Sequence, residues 1–496
     1  MDWQLSNQAD ELISQFSTQN SDQAVLNIWR SPEELRNRIR ERILVSPANL
    51  EKAVQAGWPP ADVALDSQRA KVLVQALRAR LEQEKNTRVA SSFAARYASV
   101  ATRLSDPATV LAEVQALHAR MELEKNSDLA SSFSGSYASV AARLSDPAAV
   151  LAEAQALRAR LELEENSDLA CSFARSYASV AARLSDPAAI LSAAQALRAR
   201  MELEENSSIA SSFAQSYASV AARLSDPAAI LSAAQALRAR MELEKDGLLT
   251  YRFAQSYASV AARLSDPAAV LAAAQALRAR LEQEKNSRLA SSFAQSYASV
   301  AALLSDPAAV LAEAQALRAR LEQEKNSRLA SSFAQSYASV AARLSEPAAV
   351  LAEAQALRPH LEQEKDGYLA INFAQSYASV AVRLSDPAAV LTAAQVLRAR
   401  MEQEKDRSLA KNSAQSYASV AVRIAEQSNI QPPAALAREA LILAGHPFLV
   451  DEEGQASLIP VLKTLAKREF PGGMHEAVLW AEKAYGLRAA DLRPAR

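Results

Sequence analysis

Histidine and cysteine are scarce in this sequence, and their spacing argues against catalysis. The chain carries four histidines, His118, His360, His446 and His475, and one cysteine, Cys171. Nucleophilic hydrolysis needs a Ser or Cys, a histidine to take its proton and a third group to orient that histidine. His118 and His360 fall where sister segments carry Arg, so they read as variation within a surface helix. Cys171 falls where sister segments carry Ser131, Ser211 and Ser291, which favours a small packed side chain over a reactive thiol. His475 adjoins Glu476, yet no ligand pair has the i, i+4 spacing of a helical metal site. The run DEEG at 451–454 lacks the alternating oxygens of a calcium loop, and no glycine loop could cradle a phosphate. The expectation is a non-enzyme with no catalytic residue, no metal and no cofactor.

Composition narrows the partners. The net charge is -1, with no long block of one sign, whereas a nucleic-acid partner would call for a basic stripe to displace counterions. One cysteine excludes an internal disulfide framework and fits a reducing compartment. The first residues, MDWQLSNQAD, show no basic segment leading into an apolar run, and Gln and Arg interrupt every apolar stretch before a membrane-spanning length. The sequence thus predicts a soluble, cytoplasmic protein with no nucleic-acid and no membrane partner.

What dominates the chain is repetition. SYASVA or a near variant returns with Tyr97, Tyr137, Tyr177, Tyr217, Tyr257, Tyr297, Tyr337, Tyr377 and Tyr417, always forty residues apart. Nine segments start at Asp66, Asp106, Asp146, Asp186, Asp226, Asp266, Asp306, Glu346 and Asp386. Ala, Leu and Val make up most of the apolar content, and nine Gly in 496 residues is far below the usual ~7%. Helices follow from that bias.

Each segment reads as two of them. Asp106 before Pro107 is a start signal, since the carboxylate caps free amides and proline's φ is already helical. Val110, Val114, Leu117 and Met121 then mark one helical face; Asn126 and Ser127 interrupt it. Leu129, Phe133, Tyr137, Val140 and Leu144 mark a second helix. One pair cannot cover its own apolar stripes, so the pairs must stack. At ~8 to 10 Å between packed helices, nine pairs predict a curved rod on the order of 90 Å, with Phe and Tyr ladders in its core. The ninth segment has Ser413 in the Phe position, as a terminal unit without a matching neighbour would. Pro359 lies inside the first helix of the eighth segment and should kink or break it at ~3 kcal/mol.

The flanks do not repeat. Ser31, Pro32 and Glu34 form a helix start, followed by Leu35, Ile39 and Ile43 on one side. Residues 1–65 therefore read as a helical cap of three or four short helices, 66–425 as the repeats, and 426–496 as a second cap, with Leu436, Leu443 and Trp480 among its apolar residues.

A forty-residue period with two helices, ARL-type endings and DP-type turns resembles the Ala/Leu-rich, HEAT-like arrays of bacterial multidomain proteins. The expected fold is all-α: a right-handed superhelical α-solenoid of nine HEAT-like repeats with helical caps at both ends. In such proteins the array accompanies a caspase-like, trypsin-like or kinase module. Residues 1–65 are too short for one, so the resemblance implies an effector on a separate protein.

Two surfaces are candidates for the partner, a protein or peptide. Arg158 and Arg160 precede Glu162 and Glu164 by four residues, which reads as a solvated helix face and not a binding patch. The junction between the two helices varies far more. It brings Tyr251 and Arg252, Tyr368, Ile371 and Asn372, and Arg407 and Lys411 to one edge. Tyr and Arg are common interface anchors, although drift at an exposed turn would give the same pattern. The second surface is the Ser/Ala/Gln side of the second helices, including Gln295, Ser296 and Ser299, which the HEAT resemblance makes concave. A neutral trough suits a helix or an extended peptide. The leading expectation is a protein-binding scaffold or recognition arm; the alternatives are a substrate of a partner protease, or a HEAT-like nucleic-acid enzyme such as a base glycosylase.

Overall fold

The Asp-Pro and Asn-Ser signals become helix starts, and the described residues hold twenty helices. The computed structural model describes residues 2–15, 27–28, 30–45, 49, 53, 67–83, 87–124, 126–404 and 406–426, and every regular element among them is helical. The chain divides into two compact units, 1–240 and 241–496.

In the first unit, α1 (Asp2–Ser14) packs on α2 (Glu33–Val45). The repeats follow as α3 (Ser67–Gln83) with α4 (Thr87–Ala101), α5 (Pro107–Leu123) with α6 (Ser127–Ala141), α7 (Pro147–Leu163) with α8 (Ser167–Ala181), and α9 (Pro187–Leu203) with α10 (Ser207–Ala221). The division falls near the end of α11 (Pro227–Leu243). The second unit holds α12 (Gly247–Ala261), then α13 (Pro267–Gln283) with α14 (Ser287–Ala301), α15 (Pro307–Gln323) with α16 (Ser327–Ala341), α17 (Pro347–Gln363) with α18 (Gly367–Ala381), and α19 (Pro387–Gln403) with α20 (Arg407–Glu426). Within each unit the second helices pack side by side in chain order, α4–α6–α8–α10 and α12–α14–α16–α18–α20. Successive first helices touch only slightly, so the second helices form the inner layer of each stack.

Local signals explain the boundaries. Asp146 accepts from the Ala149 amide at 3.0 Å, and Asn166 from the Leu169 amide at 3.0 Å, satisfying donors that a helix start leaves open. Between the helices Glu164 accepts from the Asn166 amide at 3.0 Å, and Glu204, Glu284 and Glu324 repeat the contact at 2.9, 2.7 and 2.8 Å. These carboxylates close the turn; they are not only part of a solvated face. The exposed pairs expected of RARLE are there as well, Arg158 to Glu162 and Arg318 to Glu322, each at 2.7 Å.

The aromatic ladders form the core. Phe133, Phe173, Phe213, Phe253, Phe293, Phe333 and Phe373 are buried, as are the tyrosines four residues on. Replacing one such Phe by Ala costs about 3–5 kcal/mol in comparable cores. A guanidinium covers several rings, with Arg120 over Phe133 at 5.2 Å and Arg320 over Phe333 at 5.8 Å. Ser413 keeps the buried position of the missing Phe, and its hydroxyl has no partner. In the same repeat, Arg400 makes a largely buried ion pair with Glu404.

Three sequence expectations need comment. The helix is not broken at Pro359: α17 spans Pro347–Gln363, the same seventeen positions as its neighbours. Pro359 lies near the carboxy-terminal end, so one lost amide bond leaves the bulk of the ladder in place. Leu35, Ile39 and Ile43 of α2 are buried as the pattern required, but the Ser31 hydroxyl turns back to donate to the Asn27 carbonyl at 2.8 Å. The expected cap over 426–496 lies outside the described residues except for Glu426, which ends α20.

Candidate interaction surfaces

In the second unit a shallow groove of about 430 Å³ lies between α14 and α16. Ser292, Gln295, Ser299, Gln335 and Ser339 line it, with no ionisable side chain among its lining residues. Gln295 and Ser299 are exposed. Ser296 is buried, and its carbonyl accepts from the Ser299 hydroxyl at 2.7 Å. The alternation arises because position 296 faces the neighbouring helix while 295 and 299 face out. The groove can offer amide and hydroxyl groups to a peptide, and nothing that would do acid–base work.

The variable edge is less unified than its sequence. Tyr368 is 73% exposed and Arg252 is exposed, as anchors should be. Tyr251 is half-buried, packing edge-on against Phe293 at 5.9 Å. Ile371 is buried, and Asn372 is half-buried with its amide 3.5 Å from the Ser331 hydroxyl. Arg407 and Lys411 are helical residues of α20 whose side chains lie outside the described set. The structure does not bring the group together, since α14 and α16 lie between α12, which carries Tyr251, and α18, which carries Tyr368.

Sequence reasoning missed a set of buried carboxylates at the repeat junctions, each paired with a buried tyrosine and a part-exposed cation. Tyr97, Tyr137, Tyr297 and Tyr337 each donate their hydroxyl to a buried carboxylate of the following repeat, namely Glu113, Glu153, Glu313 and Glu353. A cation completes each site: Arg78 lies 3.5 Å from Glu113, Arg278 3.5 Å from Glu313, Arg318 3.7 Å from Glu353, and His118 3.4 Å from Glu153. A signal was available, because these copies read LAE where the other copies after the first read LSA, LAA or LTA. Burial, then the bond to the carboxylate, pushes each of these phenols far above its ordinary range. Burial alone would push the Glu153 carboxyl up as well, but the bonds from His118 and Tyr137 outweigh it and hold it below the usual range. A charged pair flanked by a phenol is chemically inert here; it fixes register between repeats.

The other candidates among the described residues are packed, while His446 and His475 lie outside that set. His118 meets Tyr137 edge-on at 5.5 Å, and His360 stacks on Phe373 at 5.7 Å. Cys171 is buried with its thiol 3.8 Å from the Ile209 carbonyl, and burial pushes its pKa up, which disfavours the thiolate. No group of three or more metal-ligating side chains occurs among the described residues, and none of their helices is long and apolar enough to cross a membrane.

No family model and no curated protein matches this chain. Among solved structures it is similar to a chain of the karyopherin Kap121p bound to the SUMO protease Ulp1p, at 10% identity over 91% of this chain and 57% of that one, TM-score 0.37. It is also similar to a chain of the Pds5-Scc1 complex, at 10% identity over 92% and 73%, TM-score 0.34. A circular tandem repeat protein matches at 16% identity over 96% and 99%, TM-score 0.21. At such identities and scores these likenesses carry nothing about function. Among the described residues, the forty-residue helix pairs form an all-helical array of two-helix repeats, the α-solenoid class of fold.

Proposed function

We propose that this chain is a non-enzymatic protein-binding array, a scaffold or recognition arm that works with a separate effector in the cytoplasm. The observation that supports it best is the neutral groove of Gln295, Ser299, Gln335 and Ser339, held on rigid helices whose junctions are pinned by buried pairs. Such a groove takes an extended peptide or a helix through amide and hydroxyl bonds, with side-chain pockets adding selectivity. Tyr368 and Arg252 serve as secondary anchors on the edge. Capture of the partner from host lysate by the full chain tests the reading. Gln295→Arg combined with Ser339→Arg, which fill the groove without touching the core, should abolish capture, and Tyr368→Ser should weaken it. Capture that survives the paired arginines and is lost only with Tyr368→Ser would move the site to the edge, and a lysate that yields no partner under either condition would sink the proposal.

A further inference from the structure

The second helices of the second unit carry one glutamine each at the same turn: Gln255, Gln295, Gln335, Gln375 and Gln415 on α12, α14, α16, α18 and α20. All five are exposed, and none of their carboxamides has a hydrogen-bond partner among the described residues. The serines four residues on differ. Ser259, Ser299, Ser339 and Ser419 donate to the carbonyl three residues back at 2.8, 2.7, 2.8 and 2.8 Å, and Ser379 to the carbonyl four back at 2.8 Å. Those protons stay inside the helix, while each glutamine keeps a donor and an acceptor open. Ser336 adds a second open group: it is 6% exposed and lines the groove between α14 and α16, and its hydroxyl has no partner among the described residues. A hydroxyl so nearly buried calls for a ligand that can bond it. The fold itself does not require glutamine at this turn, because α4, α6 and α8 carry Ala95, Gly135 and Arg175 there.

The lining decides between ligands. None of the exposed large apolar side chains borders the groove, so an amphipathic helix would find no floor for its apolar face. No ionisable side chain lines it either, so a charged segment would meet no counter-charge. A carboxamide matches a peptide unit, since each offers N–H to donate and C=O to accept. Helical peptides bond those groups internally, whereas an extended segment leaves them open. We propose that the glutamine ladder of α12 to α20 binds an extended, neutral peptide through its main chain, with Ser336 bonding it from the groove floor. This inference rests on the protein-binding reading and narrows its partner from a helix or a peptide to an extended chain. The five helices pack side by side in order, and packed helices lie ~8 to 10 Å apart. About three extended residues cover each step at ~3.3 Å apiece, so about twelve suffice for the ladder.

The test uses the full chain and a fluorescent peptide of about twelve alternating Thr and Ser residues, against a copy N-methylated on alternate backbone amides and a neutral helical peptide of the same length. The unmodified peptide should bind saturably with little dependence on salt, and N-methylation should abolish binding. Gln295→Ala and Gln335→Ala should each weaken it about two- to tenfold, as the loss of one hydrogen bond does, and their combination further, with the helical spectrum unchanged. Ser336→Ala should weaken it by a similar factor. Absence of saturable binding, equal binding of the N-methylated copy, tighter binding of the helical peptide, or unchanged binding by the double variant overturns the proposal. If the Thr-Ser peptide fails to bind while Gln295→Arg with Ser339→Arg still abolishes capture of the host partner, the groove reading stands and this inference alone falls.

Discussion

The repeat junctions come in two kinds, and the contrast shows how one sentence of sequence can be stiffened selectively. Where the following repeat carries Glu, as at Tyr337 and Glu353, a buried phenol donates to a buried carboxylate that a part-exposed arginine reaches from the surface. Where it carries Ala, as at Tyr377 with Ala393, the tyrosine is buried without that carboxylate, and burial pushes its pKa only up to about 12. The first kind specifies register, because a slipped repeat would strand a buried charge. The second depends on shape alone.

Breaking the first kind should cost most. Tyr337→Phe removes a donor from a carboxylate that is 2% exposed, and should lower stability by about 2–3 kcal/mol, seen as faster hydrogen exchange in α16 and α17. Tyr377→Phe should cost under about 1 kcal/mol in the same experiment. Equal losses would erase the distinction. Glu353→Ala converts one kind into the other; absorbance titration should then find the Tyr337 phenol near the about 12 of Tyr377, no longer far above it.

The two histidines sharpen the comparison through pH. The hydrogen bond to Glu153 raises the pKa of His118, so its contribution is full below the ordinary ~6.5 and is lost as pH rises through the raised value. Burial lowers the pKa of His360, so its contribution is full above ~6.5 and is lost as pH falls through the lowered value. Hydrogen exchange corrected for intrinsic rates should show α5 to α7 tightening on acidification while α17 and α18 loosen. His118→Arg and His360→Arg should each flatten one response. The smallest effect is at Ser413, where Ser413→Ala removes an unpartnered buried hydroxyl and should stabilise the chain by up to about 1 kcal/mol in denaturant unfolding.

The helix pairs were legible because periodicity and capping are local: Asp146 and Asn166 bond amides within three residues, and Phe173 and Tyr177 lie on one stripe by spacing alone. Candidate surfaces were legible only in outline. Which of Tyr251, Tyr368 and Ile371 is exposed depends on the neighbouring helix, and Phe293, forty-two residues from Tyr251, covers it. Glu353 looked like any other helix-surface acid until the fold set it against Tyr337 and Arg318. Local sequence decided where helices start and which stripe is apolar. Tertiary packing alone decided which charges are buried and which side chains are left in water, because those outcomes depend on the repeat next door.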